Sequence, residues 1–209
     1  MTSRTVRMDA PATLLHTIAA RRHLDRTIQL AGVVFITALT AAAAQVSFTL
    51  PFTTVPFTLT PMVVLLGGAA LGSRLGMASQ LLYLFLGMAG LPVFAASPIL
   101  PQGLLRLFGP TGGYLMSYPF AAFVTGALAE RAFDRRYLTS AVAMAAGLVV
   151  IFTFGVVWLA WFARPSPPGL AAALQQGFLP FIPADIVKIL IAAAVMPGVW
   201  KIVGTDRSA

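Results

Sequence analysis

The sequence of 209 residues contains no cysteine, which excludes a disulfide framework and a thiolate metal site. Its two histidines, His16 and His23, both precede the first long apolar run, so a buried catalytic imidazole is a poor candidate. The chain also lacks a GxxxxGK[ST] loop, an HExxH pair and a serine accompanied by a base and an orienting group. We therefore expect neither an enzyme, nor a bound cofactor or metal, nor ATP binding by the Walker mechanism.

Charged residues are also scarce, at 10% of the chain against 58% hydrophobic residues, which is typical of an integral membrane protein. A helix needs about 20 residues to cross a bilayer. Six runs are predicted to cross: 28–46, 59–72, 74–91, 112–130, 137–161 and 184–203. The run 59–72 is short, but it must cross if its neighbours are to alternate. The prediction is an all-α membrane protein with structured outer loops.

The net charge of +8 indicates topology and not nucleic-acid binding. With the N-terminus inside, 11 of the 14 basic residues lie on the cytoplasmic side, and only Arg106, Arg164 and Lys188 remain for the outer half. By the positive-inside rule, both termini are then cytoplasmic.

The predicted domains are a basic cytoplasmic extension at 1–27, a membrane domain at 28–203 and a cytoplasmic tail at 204–209. The extension contains "ATLLHTIAARRHLDR", which is either a helix on the membrane surface or a solvated tail. A signal peptide ending near "ALTAAAAQ" is the competing interpretation, but the charged region before residue 28 is longer than usual.

The connections assigned to the outer side are long and rich in proline. "VSFTLPFTTVPFTLTP" predicts an extended hairpin or lid, and the prolines of "GLPVFAASPILPQGLLRLFGPTGGY" forbid one continuous helix. A short interfacial helix is predicted at about 169–178.

Asp185 and Lys188 are charges within a segment of membrane length, three residues apart and on one helix face. If Pro183 is the first helical residue, Asp185 lies in the first turn, where the helix dipole favours a carboxylate. One interpretation is an intrahelical ion pair or a lysine that reaches the interface. The other is an outward pocket in which Lys188 holds a ligand anion and Asp185 accepts a ligand N–H.

Arg106 is the other displaced charge, either a second anion contact or a loop arginine at the headgroups. It precedes "GPTGG", whose glycines allow a close approach to backbone or to ligand. Small residues spaced four apart predict close helix packing: Ala38 and Ala42; Gly68, Gly72 and Gly76; Ala122 and Gly126. The pair in the first helix could equally dock a separate membrane subunit.

Four stretches, in this order and spacing, carry a resemblance: "VPFTLTP", "LLYLFLGMAGLPVFA", "FGPTGGYLMSYP" and "PFIPADIVKI". Over about residues 30–203 the chain resembles the BioY family of biotin transporters, the substrate-binding (S) components of energy-coupling factor (ECF) importers. The resemblance implies a six-helix protein of the bacterial inner (plasma) membrane that captures biotin at its outer face. It implies as partners a transmembrane coupling protein (T component), a pair of cytoplasmic ATPases (A components) and membrane lipid, with no nucleic acid. Ala38 and Ala42 would contact the coupling protein.

For the site, the resemblance implies Lys188, with Arg106, on the biotin carboxylate and Asp185 on the ureido N–H groups. Tyr83, Phe57, Phe94 and Tyr114 are the implied apolar walls, with Gly112 a further binding position. Where many relatives have Gln, this chain has Thr60, so a polar ligand contact is expected to be missing there. The alternatives are an S component for another vitamin, or a membrane enzyme or assembly protein in which Asp185 and Lys188 form a structural pair.

Overall fold

The computed structural model describes residues 13–15, 25–48, 51, 53–96 and 102–205. Its α-helices are α1 Asp25–Gln45, α2 Thr60–Leu71, α3 Ser73–Met88, α4 Gly112–Ala129, α5 Tyr137–Trp161, α6 Leu170–Gly177 and α7 Ile182–Thr205. Two 3₁₀ helices lie at Leu104–Phe108 and Phe133–Arg135, and two short strands are β1 Ser47–Phe48 and β2 Phe57–Thr58.

The described helices are those of a membrane protein in length and composition. Three of them contain a stretch long and apolar enough to cross a bilayer, namely Arg26–Gln45, Tyr137–Trp161 and Ile182–Ile202, and Thr60–Leu71 is a shorter apolar helix. Each of the six predicted runs coincides with one helix, so the mostly helical fold is confirmed. The break between the second and third runs is Gly72, where a φ of +89° favours glycine.

Helix α4 lies at the centre and packs against α2, α3 and α5. The small residues permit this, because a Cβ at Gly68 would collide with the backbone of Ala122, and one at Gly126 would collide with the backbone at Gly72 and Ser73. The predicted packing role of the glycines is confirmed at both crossings.

Two of the connections between helices contain the elements that the sequence predicts. β1 and β2 pair antiparallel, with Ser47 opposite Thr58 and Phe48 opposite Phe57, which confirms the predicted hairpin. The described part of the proline-rich connection contains a short 3₁₀ helix, and α6 confirms the predicted short helix.

At the end of the bundle away from the hairpin, side chains tie the helices together. Glu130 Oε1 accepts hydrogen bonds from Ser73 N at 2.7 Å and Ser73 Oγ at 2.8 Å, which caps the N-terminus of α3. Trp200 Nε1 donates to Asp134 Oδ2 at 2.5 Å, which ties α7 to the α4–α5 connection.

Most of the predicted N-terminal extension, with any surface helix in it, and the tail beyond residue 205 lie outside the described residues. Of the extension, Leu14 and Leu15 are buried, and Leu15 packs with Ile36 and Leu71.

Candidate functional site

A cavity of about 630 Å³, counting its open mouth, lies at the hairpin end of the bundle. Its walls come from the end of α1, the hairpin, the proline-rich connection, α2 to α5, and the start of α7. The lining is mostly apolar and carries three charged side chains, those of Arg106, Asp185 and Lys188.

Asp185 and Lys188 form an ion pair on this wall. Lys188 Nζ lies 2.7 Å from Asp185 Oδ1, with the two side chains 15% and 5% exposed respectively. Helix α7 begins at Ile182, one residue before Pro183, and Asp185 lies in its first turn. The predicted intrahelical ion pair is therefore present, and the pair also faces a cavity, while the ligand contacts of the second interpretation stay a prediction.

The pair retains hydrogen-bonding capacity for a ligand. Lys188 Nζ donates to Asp185 Oδ1 and, at 2.8 Å, to the carbonyl oxygen of Thr58, which uses two of its three N–H groups. Asp185 Oδ2 accepts no hydrogen bond from any residue that the structure describes. An acceptor oxygen and a cationic donor therefore stand side by side on the cavity wall.

Arg106 is 2% exposed, so the interpretation of a loop arginine at the headgroups is wrong. Its guanidinium lines the cavity and donates to the carbonyl oxygen of Ala95. Burial lowers the pKa of this guanidinium, because desolvation disfavours the charged form. Two cations against one carboxylate give the lining a formal charge of +1, which favours an anionic ligand.

Three side chains hold consecutive carbonyl groups of the connection after α3. Tyr83 Oη donates to Val93 O at 3.1 Å, Gln102 Nε2 donates to Phe94 O at 3.0 Å, and Arg106 donates to Ala95 O. The segment 93–95 is thereby fixed as part of the cavity wall, although it has no regular secondary structure.

The aromatic side chains divide into those on the wall and those behind it. Tyr83, Phe94 and Tyr114 line the cavity. Phe57 is not among the lining residues; its ring stacks on that of Phe181 at 4.2 Å and lies 5.9 Å from Lys188 Nζ. It therefore supports two lining side chains.

Gly112 also lies outside the lining, because it packs against the backbone of Leu107, where a Cβ would collide. Of the GPTGG stretch it is Thr111 that lines the cavity. The turn itself is held by Trp158 Nε1, which donates to Gly109 O at 3.0 Å. The close approach that these glycines allow is therefore to the protein's own backbone.

Sequence reasoning missed several wall residues, among them Tyr118, Phe152 and Phe181. Tyr118 follows Tyr114 by four residues, so the helical period would have placed both on one face. Phe152 lies in a continuously apolar helix and Phe181 in the turn before α7, where no polar pattern marks them. Thr60, which was noted only as a departure, also lines the cavity.

The two alanines predicted to contact a partner subunit do not line the cavity. Ala38 and Ala42 are exposed on α1, on a side of the helix that no other described element covers. Exposed Leu30, Val34 and Phe35 belong to the same helix. The surface is thus apolar and made of small and large residues together.

The amino-acid sequence is similar to those of known proteins. A family model described as the BioY family matches residues 13–205. The probable biotin transporter BioY of Pyrococcus horikoshii is 40% identical over 163 residues, covering 78% of this chain and 90% of that protein. The biotin transporter BioY of Thermotoga maritima is 38% identical over 160 residues, covering 76% and 88% respectively.

A solved structure shares the fold. The crystal structure of the S-component for biotin from an ECF-type ABC transporter matches with a TM-score of 0.74 and 24% sequence identity, covering 84% of this chain and 92% of that chain.

A third relative also matches in sequence. The biotin transporter BioY of Rhizobium etli is 37% identical over 180 residues, covering 78% of this chain and 92% of that protein.

Proposed function

The chain belongs to the BioY family, and from this we propose that it captures biotin in the cavity and takes part in biotin uptake as the S component of an ECF-type importer. The observation that carries the proposal is the pairing of Asp185 with Lys188 on the wall of a largely apolar cavity that also contains Arg106. The names of the relatives, biotin transporters in each case, support the choice of ligand.

The chemistry of biotin suits this wall. Biotin offers a carboxylate, a ureido group with two N–H donors and a carbonyl, and an apolar sulfur ring with an aliphatic tail. Asp185 Oδ2 would accept a ureido N–H, while the remaining N–H of Lys188 would donate to the ureido oxygen. The rings of Tyr83, Phe94 and Tyr114 would pack against the apolar part.

We assign the carboxylate of biotin to Arg106. The resemblance suggested Lys188, with Arg106, for this group, but the charge of Lys188 is already balanced by Asp185 at 2.7 Å. A second anion there would compete with that carboxylate, whereas the guanidinium of Arg106 can hold Ala95 O and a carboxylate together because it has five N–H donors. The net charge of the lining supports this division.

The finer topology belongs to the proposal as well. Six crossings with both termini inside would put the hairpin and the cavity at the outer face of a bacterial inner membrane, consistent with the distribution of Arg and Lys. The exposed face of α1 with Ala38 and Ala42 would contact the coupling protein, and a pair of cytoplasmic ATPases would supply the energy. The protein would act as a transport subunit and not as an enzyme.

A ligand panel tests the vitamin. The purified chain in mild detergent is heated with biotin, riboflavin or thiamine at equal concentration, and its unfolding midpoint is recorded. Biotin alone should raise the midpoint, because a ligand that binds only the folded state stabilises it. A rise with riboflavin or thiamine and none with biotin would move the protein to another vitamin.

The carboxylate assignment is tested with Arg106→Met and with biotin methyl ester. The ester should bind the wild-type protein at least about tenfold more weakly than biotin, since a charge-assisted hydrogen bond is lost. In Arg106→Met the two ligands should bind alike. If Lys188→Met and not Arg106→Met removes the preference for the acid, Lys188 holds the carboxylate.

A further inference from the structure

Thr60 is a buried polar residue whose hydroxyl stands out by its hydrogen bonding. It is 2% exposed, and its Oγ1 has no hydrogen-bond partner among the residues that the structure describes. Three other buried threonines have a partner: Thr37 donates to Ser79 O at 2.9 Å, Thr40 to Ile36 O at 2.7 Å, and Thr125 to Ala143 O at 3.4 Å. A buried hydroxyl without a partner costs folding free energy, so its presence calls for a reason.

Helix capping does not supply that reason. Thr60 is the first residue of α2, and the N-cap position belongs to Leu59, where no side chain makes a capping hydrogen bond. The backbone N–H of Thr60 is itself satisfied by Thr58 Oγ1 at 3.3 Å. The hydroxyl of Thr60 is therefore not needed to start the helix.

The location of Thr60 is more informative. It lines the cavity, and it lies two residues after Thr58, whose carbonyl oxygen accepts a hydrogen bond from Lys188 Nζ at 2.8 Å. Pro61, the next residue, lines the same cavity and also a small recess formed with Asp185 and Lys188. Thr60 thus belongs to the end of the cavity that holds the ion pair.

We propose that the Thr60 hydroxyl is a specificity-determining ligand contact that hydrogen-bonds the ureido group beside Asp185 and Lys188. This inference rests on the proposed function, and it replaces the expectation that a polar contact is missing at this position. A hydroxyl can donate to the ureido oxygen or accept from a ureido N–H, so it adds a third polar contact to the two made by the ion pair. Ligand binding then supplies a partner for a buried lining hydroxyl that has none among the described residues.

The test is Thr60→Val, which keeps the branched shape and removes the hydroxyl, with Thr60→Ser as the variant that retains it. Biotin affinity is measured for each by competition with a labelled biotin in detergent. We expect Thr60→Val to bind biotin about tenfold more weakly and Thr60→Ser to stay within about threefold of the wild type. The unfolding midpoint of empty Thr60→Val should be equal to or above that of the wild type, since no hydrogen bond is lost.

Thr125→Val is the matched control, because it removes a hydroxyl that is bonded and outside the cavity: it should lower the unfolding midpoint and leave the affinity unchanged. Desthiobiotin, which keeps the ureido group and lacks the sulfur, should show the same loss with Thr60→Val as biotin does. Wild-type affinity in Thr60→Val, a lowered midpoint of its empty form, or a loss confined to biotin would each overturn the assignment. Failure of the wild-type protein to bind biotin would instead overturn the proposed function.

Discussion

Lys188 and Asp185 are hydrogen-bonded to each other at 2.7 Å in the first turns of α7, with both side chains on the wall of a cavity. The pair is intrahelical, at the i, i+3 spacing that brings two side chains together on one face of a helix. Lys188 nevertheless extends the pair to the hairpin through Thr58 O at 2.8 Å. One lysine therefore links the helix, the hairpin over the cavity and the carboxylate.

The first prediction concerns the balance of charge within this pair. Lys188→Met leaves the Asp185 carboxylate buried without a cation and should lower the stability by about 1–3 kcal/mol. The double variant Asp185→Asn, Lys188→Met should recover most of that loss, because the uncompensated charge is gone, yet it should not bind biotin. Thermal unfolding and biotin binding on the same samples separate the two effects. Stability losses that simply add would show that the two side chains are not coupled.

The second prediction concerns the cap of α3. Glu130→Ala removes the acceptor of both Ser73 N and Ser73 Oγ, so the free energy of unfolding should fall by about 1 kcal/mol. The affinity for biotin should not change, since Glu130 lies at the end of the bundle away from the cavity. A variant that kept its midpoint, or one that lost ligand affinity, would contradict this role.

The third prediction concerns pH. Burial raises the pKa of Asp134, against the opposing effects of the hydrogen bond from Trp200 and the nearby charge of Arg135. The folded protein therefore binds more protons than the unfolded chain between about pH 4 and the raised pKa, and its stability falls as the pH rises through this window. The unfolding midpoint should thus fall relative to that of Asp134→Asn from pH 4 upward. A midpoint that rises relative to the variant would mean that the carboxylate is favoured in its charged form.

The fourth prediction concerns the crossing of α3 and α4. Gly126→Ala places a Cβ into the backbone at Gly72 and Ser73, so it should destabilise the protein by about 1–3 kcal/mol. Gly198→Ala is the matched control, because a Cβ at that position in α7 meets nothing within 4 Å. Equal unfolding midpoints for the two variants would mean that α3 and α4 move apart to accept the added Cβ without loss of stability, which would contradict this prediction.

The fifth prediction concerns the exposed face of α1. Ala38→Leu and Ala42→Leu should leave biotin binding intact and weaken association with the proposed coupling protein by about tenfold or more, because small residues allow close helix contact. Ala145→Leu on α5, which is also an exposed alanine, serves as the control and should associate normally. Co-purification from membranes that contain all partners measures the effect; loss of biotin binding in the α1 variants would point to a folding defect instead.

The sequence predicted the helices well, because apolar length and proline breaks are local properties. The hairpin at 47–58 and the helix at 170–177 followed from the same kind of evidence. The sequence also marked Asp185 and Lys188 as candidate site residues, since a charge within an apolar run is conspicuous. The sequence could not decide whether this pair is structural or faces a pocket, because that depends on tertiary packing. In the structure the two residues form an ion pair, and the pair lines a cavity.

Tertiary packing decided the rest. Arg106 is buried and donates to the Ala95 carbonyl oxygen, which belongs to the segment 93–95 that has no regular secondary structure. Gly112 and Phe57 were expected at the ligand and lie behind the wall, because the pattern that marks a close approach does not say what approaches. Phe152 and Phe181 have apolar neighbours in sequence, so nothing distinguished them from residues that face lipid.

The most direct test of the account is a calorimetric titration of biotin into the purified chain in mild detergent, with Asp185→Asn as the comparison and the unfolding midpoint as the check on folding. The account predicts binding near one biotin per chain in the wild type and at least about tenfold weaker binding in Asp185→Asn, which loses the charged acceptor. A folded wild-type protein that gives no heat and gains no stability with biotin would contradict the account. Undiminished binding in a folded Asp185→Asn variant would contradict the assignment of the site.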